Sequence, residues 1–468
     1  MTVNLAAPLA WTQANAEEKA MLQDLQANIL KGHGRPHTAH LFLRFGAAAP
    51  ARQWLHALGA KVTSALAQLQ SNAAFKRTGK SGGLVTLAFI ARAGYQALGV
   101  AQGATPKDTA FLAGMAARKA LLNDPASTQW EPYLGAGVHA MVLLADDTAA
   151  LVKKARNALV AGLPAAVTLV GEETGLGMKS KLAPGEGIEH FGYVDGRSQP
   201  LLLAEDIEHE RDSRDGTSVW NPAFGLNKAL VPDPAGAGPN SFGSYFVFRK
   251  LEQNVRGFKQ AEEKLAKALG LQDEDEERAG AMMIGRFEDG TPVVLQAADG
   301  VNEPVPNNFD YRDDPTGAKC PLHGHIRKSN PRGESVALGA TLEQERSHLM
   351  VRRGITYGKR TKHPNSPSLT FAQMPTKGVG LLFMAYQNDI GNQFEFTQAS
   401  WVNNKSFVQP NTGVDPVIGQ GTAGGQRCPV QWGGGAATVR KAFDFRGFVT
   451  MKGGEYFFAP SISGLKAL

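Results

Sequence analysis

The sequence predicts an α+β protein made of two ferredoxin-like halves, and three observations carry that expectation. Alternating apolar runs and amphipathic stretches up to Val170 follow the order strand, helix, strand, strand, helix, strand. A similar order restarts beyond the turn-rich Val231-Pro-Asp-Pro-Ala-Gly-Ala-Gly238, which divides the chain into halves at 1–235 and 236–468. The length of 468 residues also exceeds what one ordinary hydrophobic core holds.

In chain order, Asn15 to Leu30 reads as an amphipathic helix and His37 to Phe45 as a strand around Leu41-Phe42-Leu43. A helix from Pro50 to about Leu69 carries Trp54, Leu55, Leu58 and Val62 on one stripe, and Gly82-Gly83 breaks the chain before a strand at Leu84 to Ile90. Strands are expected at Ala136 to Leu144 and Ala165 to Val170, with a helix from Asp146 to Val160 between them and Asp146 as its N-cap. From Gly171 to Gly238 the chain reads mostly as connection, including the acidic-basic stretch Glu205 to Arg214. The second half opens with a strand at Ser244 to Leu251, its Tyr245, Val247 and Leu251 on one face. A helix follows at Asn254 to Leu269, facing Val255, Phe258, Leu265 and Leu269 inward. Asp273 to Glu277 is a solvated loop on this reading, Leu381 to Tyr386 a strand, Gly391 to Trp401 a helix, and Asn411 to Gly435 a Gly/Pro-rich loop. Phe448 to Phe458 reads as a hairpin around Gly453-Gly454.

Composition narrows the function. Hydrophobic residues at 43% and charged residues at 20% are ordinary for a folded protein, and a net charge of +6 without a concentrated Lys/Arg face argues against nucleic acid as a partner. No run approaches the roughly eighteen apolar residues of a spanning helix, so no membrane is expected. Met1 to Trp11 lacks the charged start and apolar core of a signal peptide, and two cysteines, Cys320 and Cys428, are too few for a disulfide framework. Both point to the cytoplasm.

Three stretches carry chemistry. In Cys320-Pro-Leu-His-Gly-His-Ile-Arg-Lys-Ser-Asn-Pro-Arg332, two imidazoles, His323 and His325, sit among Lys319, Arg327, Lys328 and Arg332. Neutral imidazole is the commonest side-chain metal ligand, and guanidinium groups suit carboxylates such as those of a porphyrin. Taken alone the stretch leaves other readings open: a basic surface loop, or a zinc site of Cys320, His323, His325 and Cys428. Downstream, His-Leu-Met-Val-Arg352-Arg353-Gly354-Ile-Thr-Tyr357 adds two adjacent cations. Upstream, Phe191-Gly-Tyr-Val-Asp195-Gly196-Arg197-Ser198-Gln199-Pro200 sets a carboxylate beside glycine, where backbone comes close to a flat ligand or where the acid simply caps a turn.

Together, in this order, the three stretches resemble the dye-decolourising peroxidases, whose marks are G-x-x-D-G, H-x-R-x-x-N-P and R-R-G. The resemblance spans nearly the whole chain and implies facing antiparallel sheets in a dimeric α/β-barrel-like fold, with haem in the second half. It implies His325, not His323, as iron ligand, Asp195 as distal acid and Arg352 as distal arginine. Val194, Gly196, Ser198 and Gln199 are then expected against the porphyrin, Arg327 and Arg332 at its propionates, and Leu381 and Phe383 as apolar walls of the distal pocket. For the second ring nitrogen of His325, which needs an acceptor, Asp389 is the expected partner with Glu395 behind it. Tyr357 and Trp401 match positions where larger members carry redox-active aromatics, although both also suit plain packing. The cofactor implied is non-covalent haem b, since no C-x-x-C-H is present. The activity implied is reduction of hydrogen peroxide with oxidation of aromatic reducing substrates, anthraquinone dyes and phenols, through a high-valent iron–oxo intermediate in a monomer or homodimer. A cytoplasmic haem- or iron-handling protein without turnover is the alternative.

Overall fold

The computed structural model describes residues 3–135, 137–300, 304–422 and 424–468. Among the described residues ten strands form the central sheet; nine are numbered here in chain order, β1 His37–Phe45, β2 Val85–Ala91, β3 Ala140–Asp146, β4 Val167–Leu176, β5 Phe242–Gln253, β6 Val351–Arg352, β7 Ile355–Tyr357, β8 Gly380–Gln387 and β9 Val449–Ala459, and the short Val231–Pro232 pairs with the start of β5. The first half orders its strands β4-β1-β3-β2. With β6 and β7 read as one interrupted strand, the second half orders them β9-β5-β8-β7, which is the same fourth-first-third-second order. Both halves are therefore ferredoxin-like.

Their sheets face each other and are hydrogen-bonded into a ring. Within a half the ladders are long, with seven registered pairs between β1 and β3 and eight between β5 and β8. The seams are thin: Phe457 and Phe458 pair with Ala91 and Ile90, and Tyr357 pairs with Gly175. Strand alternation sorts side chains to the two faces of this ring. Phe42, Phe89, Phe246, Phe248, Leu382 and Met384 pack inside it, whereas Leu41, Leu43, Leu55, Leu58, Val142 and Val247 pack between the ring and its outer helices. Leu381 and Phe383 point out of the ring, and this places the cavity described below on the outer face of the second-half sheet.

Several elements differ from the sequence reading for local reasons. The first helix, Ala16–Asp24, keeps its Asn15–Glu18 capping box and stops short because Leu25 is extended. The expected helix from Pro50 is two, Ala48–Gly59 and Ala65–Thr78, because backbone bonds tie Thr63 between Ala27 and Thr86 and Ser64 then caps the second helix. The cap of helix Ala149–Ala161 is Thr148, since Asp146 ends β3. Glu205 to Arg214 is mostly helix, Ala204–Ser213, and Asp273–Glu276 is a 3-10 turn that leads into helix Glu277–Ile284. The expected hairpin is one bulged strand, β9, whose two sides both pair with β5 across the irregularity between Met451 and Gly454. The expected strand start at Ala136 lies outside the described residues, as do Met1 and Thr2 of the N-terminal stretch and Ala423 of the 411–435 loop.

Candidate active site

A cavity of about 540 Å³ lies against the outer face of β5, β8 and β9. Arg249, Leu251, Gln253, Leu381, Phe383 and Met451 form its sheet wall, and its other walls include His325, Thr397, Ile418 and the 193–200 segment. Its size falls within the range of about 300–1,000 Å³ for small-molecule sites.

On one wall the helix His325–Ser329 begins with the histidine itself. His325 Nδ1 lies 2.8 Å from Asp415 Oδ2; the imidazole is partly open to the cavity, and the carboxylate is fully buried. With Nδ1 engaged, Nε2 is the ring nitrogen available to a cofactor. Burial pulls the His325 pKa down, but the charge and the hydrogen bond of Asp415 together outweigh it and leave it raised. Asp415 is itself held down, burial being outweighed by His325 and by the Val417 and Ile418 N–H groups it accepts at 2.8 and 2.9 Å. Carboxylate-anchored imidazole is the usual arrangement of a metal-ligating histidine.

Facing it are the acid and the arginine. Arg352 Nη1 stands 3.6 Å from Asp195 Oδ1, and the side chains keep 35% and 37% of their surface open, so both are available to a small molecule in the cavity. Each is fixed by backbone: Asp195 Oδ1 accepts the Gly196 N–H at 2.7 Å, and Arg352 Nη2 donates to Arg197 O at 2.9 Å. Gln199 Oε1 accepts the Arg352 N–H at 3.0 Å. Val194, Gly196 and Ser198 line the same cavity.

At its edge three arginines gather. Arg332 Nη2 donates to Ser198 Oγ at 2.6 Å and Arg286 lies on the same Ser198–Asn307 pair, while Arg197 is bound to Glu210. Burial and mutual repulsion push Arg332 down to about 10 and Arg286 to about 9. Such a cluster on a cavity wall suits an anionic ligand group.

Other expected site residues lie elsewhere. Arg327 is fully buried away from the cavity, where it bonds Asp314 and Glu334 and stacks on Tyr311, so it braces the His325 helix and cannot meet a propionate. Asp389 caps Asn392 at 2.8 Å, and Glu395 pairs with Arg118; neither reaches His325. Asp415 takes that place, 90 residues downstream of the histidine. The Asp-Pro dipeptide marks a turn there, but nothing local marks a partner. His323 is buried against Cys428 at 3.9 Å and pushed down to about 3 by burial and by Lys328. No group of three or more potential metal-holding His, Cys, Asp and Glu side chains occurs among the described residues, which removes the zinc reading. Trp401 is buried, stacked on Phe407 and edge-on to the cavity-lining His348 at 5.3 Å. Tyr357 is buried at the seam beneath Lys250.

A family model described as DyP dimeric alpha+beta barrel domain matches residues 24–176. Multifunctional dye peroxidase DyP2 of Amycolatopsis sp. (strain ATCC 39116 / 75iv2) is 50% identical over 100% of both chains. The chain belongs to the dye-decolourising peroxidase family. Its fold agrees with the solved structure of DyP2 from Amycolatopsis sp. ATCC 39116 at a TM-score of 0.95, with 49% identity and 100% of both chains covered. A DyP-type peroxidase of Anabaena sp. agrees at 0.90, with 39% identity over 98% of this chain and 96% of that one. This dye-decolourising peroxidase is thus an enzyme of the peroxidase type, in a haem-dependent family. No helix among the described residues is long and apolar enough to cross a membrane.

Proposed function

We propose that this chain holds haem b non-covalently and reduces hydrogen peroxide while oxidising anthraquinone dyes and phenols. The observation that carries the reading is the opposition, across one cavity, of the His325–Asp415 pair to Asp195 and Arg352. The residues present fit a haem: a carboxylate-anchored imidazole for the iron, Arg332 with Arg286 for the propionates, and apolar Leu381 and Phe383. Cys320 and Cys428 are buried outside the cavity lining, so no thiol is placed to bond the porphyrin. Bound haem would supply the redox chemistry of peroxide reduction.

The chain's residues do the rest. Asp195 Oδ1 or Oδ2 takes the proton from the near peroxide oxygen and delivers it to the far one. Arg352, held by Arg197 O, presents a fixed guanidinium to the charge that builds on the departing oxygen, and needs no reorganisation to do so. Dyes are bulky beside a cavity of this size, so Trp401, through His348, and Tyr357 are proposed as relays. We place the halves at 1–235 and 236–468 and the protein in the cytoplasm, a reading supported by two unpaired buried cysteines. The test is haem reconstitution followed by peroxide-driven bleaching of an anthraquinone dye and oxidation of a phenol. A protein that binds haem but shows no spectral change with peroxide would instead be a haem-handling protein.

A further inference from the structure

The turn that delivers Asp195 into the cavity is built by an acid the peroxide chemistry does not use. Glu189 Oε2 accepts the Phe191 N–H at 2.7 Å and Oε1 accepts the Tyr193 N–H at 3.1 Å. Its backbone closes the same turn, with its N–H on Tyr193 O at 3.2 Å and its O accepting the Gly192 N–H at 3.1 Å. Gly192 takes φ +107, and a Cβ there would meet the Glu288 carboxylate at 3.0 Å, so the turn has one way to close. A third donor comes from the sheet: Gln253 Nε2 donates to Glu189 Oε2. Gln253 is the last residue of β5, and both side chains line the cavity.

That bond joins the acid-bearing segment of the first half to the sheet beneath the proposed haem. From Tyr193 the chain passes directly into the short strand Val194–Asp195, registered on Gly187–Ile188. A shift of the turn is therefore handed on within two residues. We infer that Glu189 is a positioning residue, whose carboxylate fixes where Asp195 stands relative to His325 and Arg352. The inference rests on the proposed role of Asp195. Two carboxylate oxygens accept all three donors, whereas a glutamine amide has one acceptor oxygen and presents its own N–H groups to the rest. The charged groups facing Glu189 are Asp195 on its own segment and Arg360, which donates to His190 O and so fixes the same turn from outside.

The test compares full-length Glu189→Gln, Glu189→Ala and Asp195→Asn holoproteins, with Gln253→Ala as a variant that breaks one bond of the turn. Bound haem, the rate of the Soret change with peroxide per bound haem, KM for a phenol, and amide hydrogen exchange over 191–196 in the apoprotein are measured. Glu189→Ala should keep its haem and its phenol KM, slow the peroxide step about 10- to 100-fold, and speed exchange at Phe191 and Tyr193. Glu189→Gln and Gln253→Ala should slow that step by smaller factors. A role in stability alone would lower the melting temperature and leave the peroxide rate per haem untouched. Normal rates in Glu189→Ala and Gln253→Ala beside a slow Asp195→Asn overturn the inference. A normal Asp195→Asn overturns the reading beneath it.

Discussion

Asp415 anchors the imidazole that we propose as the iron ligand. Its buried carboxylate fixes the imidazole tautomer and leaves Nε2 free, so Asp415→Asn, which keeps the shape and removes the charge, should weaken haem binding by about 10- to 100-fold. Titration of the apoprotein with haemin reads this directly, and unchanged affinity would separate Asp415 from the ligand. Across the cavity, Arg352→Leu should slow the peroxide reaction by about 10²–10³-fold, more than Asp195→Asn near neutral pH. Water replaces a proton carrier but not a fixed charge, and the gap should narrow in acid, where water is the poorer base. Stopped-flow rates across pH decide it; an Asp195→Asn enzyme slower at every pH reverses the ranking. That His325, Asp195 and Arg352 line one cavity was legible because each sits in a motif with others that reach it. Arg327 sits in the same motif yet turns the other way into Asp314 and Glu334. Asp415 was illegible because its partner is distant in sequence.

Strand alternation is what assigns Leu381 and Phe383 to the cavity and Leu382 and Met384 to the ring interior. That alternation depends on the close approach of β8 to β5, where a Cβ on Gly380 would meet Leu251 O at 1.9 Å. Gly380→Ala should accordingly destabilise the fold by about 1–3 kcal/mol, a cost typical of forced backbone shifts, and lower the melting temperature. A melting curve identical to that of the unaltered protein would contradict this packing. Periodicity exposed β1, β5 and β8 because each is long and apolar. It missed β6 and β7, whose two and three residues are too short to show a period. Gly453-Gly454 reads as a turn in the sequence and is a bulge in the fold; both features use glycine, and pairing with β5 on both sides, which only the fold reveals, tells them apart.

At the scale of the molecule the two halves share an element order that survives without residue-level similarity, so the α+β class was legible, whereas the thin seams that close the ring were not. Buried titratable groups in both halves set its response to acid. Burial holds Glu189, Glu262 and Glu455 up at about 7 from 4.5, so each contributes stability that is full below 4.5 and lost as pH rises through 7. Burial holds His33 and His323 down to about 3, and His40 and His190 to about 4, from 6.5; their contribution is full above 6.5 and lost as pH falls towards those values. The two sets oppose each other between 6.5 and 4.5, and of these seven groups the imidazoles alone act below 4.5. The apoprotein's melting temperature should be nearly level over the first interval and fall steeply over the second; a continuous rise down to pH 3 would contradict the burial of these histidines. The central claim, that one imidazole of two holds the iron, is tested most directly by the Soret absorbance of haem-reconstituted His325→Ala and His323→Ala. The account predicts that His325→Ala loses most of its haem and that His323→Ala keeps it. Equal haem content in the two variants would contradict it.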